Sequence, residues 1–95
     1  ESIRVDAGFF SASAVSGGAA YQRQSRIVSF KQAMMRSANA SYLLLDHTKI
    51  DKVAFHKLAP LTDFDLVFIS EGAPKASLDE LTRQGVKFEV VSDAL

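Results

Sequence analysis

Short, continuous apolar runs alternate along this chain with segments of helical period, and that alternation constrains the fold more than any other feature. The runs are residues 7–14, centred on Phe9-Phe10, residues 42–45 (Y-L-L-L), residues 66–69 (L-V-F-I) and residues 87–91 (K-F-E-V-V). Each is strand-length, and the first three lack the alternation of a half-exposed strand, so they suit strands buried on both faces. The fourth alternates and suits a strand nearer an edge. Helical segments are expected between them over residues 26–38, over residues 51–58 and after Pro74. This order predicts an α/β fold, with a mostly parallel sheet and helices packed on both faces.

The helix over 26–38 rests on Ile27, Phe30, Met34 and Ala38, spaced by three and four to make one inward face that Val28 and Met35 widen. Met34-Met35 reads as core filling. Ser25 suits its start and Asn39 the position past its end. Ser77-Leu78-Asp79-Glu80 matches a capping box, with Leu78 and Leu81 facing inward and Gly85 as terminator. Pro74 permits a slightly earlier start. Ser16-Gly17-Gly18 breaks the first run, and nothing periodic follows until about Arg26.

With 95 residues there is material for a single domain, or for most of one. The chain opens on Glu1 rather than Met, as an excised or processed piece would. Eleven basic and eleven acidic side chains cancel. A domain that grips DNA by its backbone carries a basic excess, so DNA contact is not expected from these residues. There is no cysteine, which removes disulfides and thiolate metal sites. No apolar run approaches the ~20 residues of a membrane span, and the first residues do not read as a signal peptide, so a cytoplasmic protein is expected. No nucleophile elbow, Walker loop or dinucleotide fingerprint is present, and no cofactor is expected.

In an open parallel sheet, ligands bind beyond the carboxyl ends of the strands. Three such ends turn polar here: Ser11, Ser13 and Ser16 after the first run, Asp46-His47-Thr48-Lys49 after the second, and Ser70-Glu71 after the third. Hydroxyls, a carboxylate and an ammonium on one rim suit a hydroxylated anion, with Lys49 as a point charge for phosphate. Simpler readings stand beside this one. Asp46 also suits a cap for the following turn, Lys49 a solvated lysine, the serines loop formers, and Glu71 a carboxylate bonded to backbone amides. His47 and His56 lack the spacing and companions of metal ligands and read as surface residues.

Two stretches resemble the effector-sensing domain of DeoR-type transcriptional regulators. One runs from Tyr42-Leu43-Leu44-Leu45-Asp46-His47-Thr48-Lys49 through Val53-Ala54-Phe55 and Leu58-Ala59-Pro60-Leu61-Thr62-Asp63-Phe64-Asp65 to Ser70-Glu71. It is similar to that family's apolar strand, D-x-[ST]-K, V-A-F-like segment, P-L-[ST]-x-[IF]-D turn and second strand. The other, Asp6 to Val15, is similar to D-x-A-F-[IV]-G-A-D-G-[IV], and Phe30-Lys31-Gln32-Ala33-Met34 resembles the family's [VL]-K-x-A-M helix. Two acidic positions of that pattern fall on Ser13 and Ile27, and both of its G-A-D-G glycines are replaced.

The resemblance implies a fold like that of ribose-phosphate isomerases, preceded by an N-terminal half-sheet and a glycine-rich phosphate loop. It implies a repressor's sensor for a phosphorylated sugar or related metabolite, acting on DNA through a separate N-terminal helix-turn-helix, in a homo-oligomer. It places Asp46 and Lys49 at the effector pocket, with Ser13 and Ser11 beside them. An isomerase-like enzyme would need a carboxylate at substrate carbon, and only Asp46 and Glu71 are on the rim. An oligomerisation module with a degenerate pocket is the remaining alternative.

Overall fold

The computed structural model describes residues 3–92. Its main sheet has four strands, β1 (Val5–Phe10), β4 (Ala38–Leu45), β6 (Leu66–Ser70) and β7 (Phe88–Val91), in the order β1-β4-β6-β7, all parallel. Helices α1 (Ser25–Ser37) and α2 (Lys75–Arg83) make the first and last crossovers. The α/β class and the parallel sheet are as the alternation predicts.

Register aligns Phe10, Leu43, Val67 and Phe88 in one row across all four strands. Leu43, Val67 and Ile69 are fully buried on this face, each removal from water contributing about 1.5–3 kcal/mol. Both helices pack here: Leu81 of α2 belongs to the same core, and Val28, Met35 and Leu78 lie against it. The helices therefore share one face rather than dividing between two. Strands added in one direction by right-handed crossovers receive their helices on the same side. The opposite face carries Phe9 stacked on Tyr42 (centroids 5.3 Å apart), with Phe68 tilted against Tyr42 at 6.2 Å; Phe9 is 64% exposed.

A second, three-stranded antiparallel sheet, absent from the sequence reading, joins the core side. It contains β2 (Ala14–Ser16), β3 (Ala19–Gln22) and β5 (His56–Pro60), in the order β2-β3-β5. Its hairpin turns at Gly17 and Gly18, whose φ of 56° and 79° are the two positive values a primed two-residue turn demands. Val15, Ala20, Leu58 and Ala59 of this sheet are buried in the shared core. The first strand consequently ends at Phe10 instead of Ala14, and Ala14 starts β2.

Several local expectations give way. Residues 51–58 form no helix: Asp51 takes a left-handed φ of 64°, and His56–Pro60 pairs with β3. The spacing of Val53, Ala54, Phe55 and Leu58 is too short to separate helix from strand, and backbone pairing with β3 decides it. On α1 the period is right and the phase is not. Ile27, Phe30 and Met34 are 38%, 65% and 41% exposed, while Val28 and Met35 face the core. Lys31 and Gln32 lie on the inward side, where Gln32 donates to the Leu58 carbonyl at 2.9 Å. No side chain caps this helix; Gln24 holds the N-cap position, not Ser25. At its other end there is no loop, because Ala38 is both C-cap and first residue of β4.

The Ser77–Glu80 capping box is also absent. Pro74 holds the N-cap position, Ser77 Oγ donates to Asp51 Oδ2 at 2.7 Å, and Glu80 pairs with Arg83. The end of α2 is as expected. Gly85 has φ of 80°, its N–H donates to Thr82 O, and Val86 N–H reaches Leu81 O, which is a Schellman closure.

Candidate functional site

The carboxyl ends of β1, β4 and β6 lie along one rim because those strands are parallel and adjacent. Several rim residues are held by specific bonds. Past β1, the Ser11 carbonyl accepts from Lys31 Nζ at 2.6 Å, and Lys31 also donates to Gln22 Oε1 at 3.1 Å. Partial burial pulls the Lys31 ammonium below the ordinary lysine value. Past β4, Asp46 Oδ1 accepts from both the backbone N–H and the hydroxyl of Thr48, each at 2.8 Å. The Thr48 backbone bond is the main cause holding the Asp46 carboxyl below its usual range, with the Thr48 hydroxyl next. Asp46 is thus the cap of a one-turn 3-10 segment, His47–Lys49, as its simpler reading had it. At the end of β6, Ser70 Oγ takes the His47 backbone N–H and lies 2.9 Å from His47 Nδ1, so this histidine is half-buried rather than on the surface. Glu71 and His56 are both exposed. No cluster that could hold a metal ion occurs among the described residues.

Beside the 3-10 turn lies a cavity of about 410 Å³, lined by Ser13, Arg23, Thr48, Lys49, Lys52, Val53, Ala54 and Phe55. Of the four site residues expected from sequence, it takes in Ser13 and Lys49. Asp46 acts one step back by fixing Thr48, and Ser11 is occupied with Lys31. The root of the 51–55 wall is pinned: Asp51 and Lys52 both donate backbone N–H to Val15 O, at 2.7 and 3.2 Å, and Asp51 accepts from Ser77.

Arg23, Lys52 and the apolar wall were not legible as site residues. Val53, Ala54 and Phe55 belong to a segment whose spacing suits a short helix, and Arg23 stands in a stretch without period. The usable signal was Lys49 and Lys52 flanking a turn. The lining contains three cations and no carboxylate, and none of the ion pairs among the described residues involves Arg23, Lys49 or Lys52. Such a lining is chemically suited to an anion, and no carboxylate stands in it. A second cavity of about 380 Å³ between α1 and β5 mixes Arg36 and Lys57 with Asp63 and lies away from the rim.

No helix among the described residues is long and apolar enough to cross a membrane. Among curated proteins none matches the chain significantly. A family model does match: that of the DeoR C terminal sensor domain, over residues 1–71, a span containing the rim, the cavity and every strand but β7. The chain therefore belongs to the DeoR C-terminal sensor family, and it is an effector-sensing domain of a transcription regulator.

Proposed function

We propose that the domain senses a phosphorylated sugar or a related anionic metabolite in the cavity beside Lys49, and that occupancy is passed to an N-terminal helix-turn-helix to release a repressor from DNA. The observation that carries this is the trio of cations, Arg23, Lys49 and Lys52, around one cavity with no acid in its lining. A phosphate there meets donors on several sides, and charge-assisted bonds of this kind are the strong ones. Thr48, fixed by Asp46, and Ser13 add hydroxyls. Asp46, Lys49 and Ser13 thus act together, while Ser11 contributes through Lys31. The regulator works in the cytoplasm, residues 1–95 are one sensor domain or most of one, and the exposed Phe9 and Phe30 suit burial in a homo-oligomer.

A ligand that binds only the folded state stabilises it by about 2.7 kcal/mol at one hundred times its Kd. A panel of pentose and hexose phosphates should therefore raise the Tm of the full-length protein, and Lys49→Ala with Lys52→Ala should abolish the shift. A panel without effect on the wild type, or a shift that survives the double substitution, would sink the reading.

A further inference from the structure

The donor and acceptor inventory of the cavity says more about the ligand than its charge does. Lys and Arg offer donors only. The side-chain acceptors are two hydroxyls, Ser13 Oγ and Thr48 Oγ1, the latter with its own proton committed to Asp46 and its lone pairs free. A polyhydroxylated sugar brings several O–H groups that need acceptors once desolvated, and here it finds few. The rest of the wall is apolar. Val53 is 79% exposed and Phe55 is 89% exposed, the largest exposure of any large apolar side chain among the described residues. Phe55 meets the His56 ring edge-on, centroids 6.5 Å apart at 66°. A phenyl ring so open, on a wall whose root is pinned to Val15, has a face free for stacking.

We propose that the effector is a phosphate ester bearing a planar ring, of the nucleoside phosphate class, with its phosphate among Arg23, Lys49 and Lys52 and its base on Phe55. This rests on the anion-sensing reading above and narrows it: a nucleotide is a phosphorylated sugar with few free hydroxyls and one large apolar face. The three cations and the Phe55 ring line one cavity of about 410 Å³, inside the roughly 300–1,000 Å³ range of small-molecule sites.

The test is calorimetric titration of the full-length protein with four probes: adenosine 5′-monophosphate, uridine 5′-monophosphate, ribose 5-phosphate and inorganic phosphate. At least one nucleotide should bind about tenfold or more tighter than ribose 5-phosphate, the scale of base–aromatic stacking. Phe55→Ala should remove that advantage and leave ribose 5-phosphate unchanged, and Phe55→Tyr should restore it. Equal affinity for nucleotides and ribose 5-phosphate, or an equal loss for both in Phe55→Ala, overturns the ring assignment and leaves the anion site standing. Binding of none of the probes overturns both. A Phe55→Ala protein that melts several degrees lower without ligand makes Phe55 a packing residue and also overturns the ring assignment.

Discussion

Lys31 Nζ lies 2.6 Å from the Ser11 carbonyl and 3.1 Å from Gln22 Oε1, so one ammonium ties α1 to the end of β1 and to β3. Gln22 is only 5% exposed. Lys31→Met keeps much of the stem and strips the donor, leaving a buried amide oxygen short of a partner. The expected cost is about 1–3 kcal/mol, read from urea unfolding. A variant as stable as wild type would show that water replaces the ammonium without loss.

His47 and Gly72 fit together by the absence of a side chain. A Cβ on Gly72 would stand 2.7 Å from His47 Nε2, and its φ of 122° strains any other residue. Gly72→Ala should cost about 1–3 kcal/mol from the backbone alone, and more from the clash. The two parts separate in a double-mutant cycle, because Gly72→Ala should cost less in a His47→Ala background. Strict additivity would mean that the His47 ring swings aside freely, and its bond to Ser70 would then count for little.

Asp46 gives a pH signature. Its carboxyl is held below the usual range by Thr48, so the folded state retains the anion where the unfolded chain takes up a proton. Stability from this bond is fully present above the unfolded value of about 4 and is lost as pH falls through the lower folded value. Wild type should therefore lose more stability than Asp46→Asn between neutral pH and the acid range, as followed by urea midpoints. Parallel profiles would contradict it.

The phase of α1 is checked by a pair of substitutions. Val28 faces the core and Phe30 is 65% exposed. Val28→Ala should cost about 1–2 kcal/mol, whereas Phe30→Ser should change stability of the monomer by no more than about 0.5 kcal/mol. The reverse order in chemical denaturation would put the helix a third of a turn from where it stands here.

The main sheet could be read from sequence because its strands are short apolar runs between helical segments, and local composition carries that information. Ser13 and Lys49 could be placed at one cavity because parallel strands bring their ends together. The hairpin of β2 and β3 could not, since three- and four-residue strands of Ala, Val, Tyr and Gln show no period; only Gly17-Gly18 marks it. The strand at residues 56–60 was hidden because pairing with β3, a long-range event, overrides a spacing compatible with helix. The phase of α1 was lost for a related reason. Apolar side chains outnumber the places under the sheet, and the bonds of Lys31 and Gln32 choose which of them turn in. Arg23 and Lys52 join Lys49 only after these events have happened.

Helix α1 passes into β4 between Ser37 and Ala38 with no residue to spare. That junction acts as a reading frame for the molecule. Side chains on a strand alternate, so one extra residue at the join would either slide β4 by one step or break the helix. A slide would send Leu43 and Leu45 to the aromatic side and bring Leu44 into the core, and the turn that carries Lys49 would move with them. A loop elsewhere in such a fold absorbs insertions; here the geometry fixes length itself as firmly as it fixes any side chain.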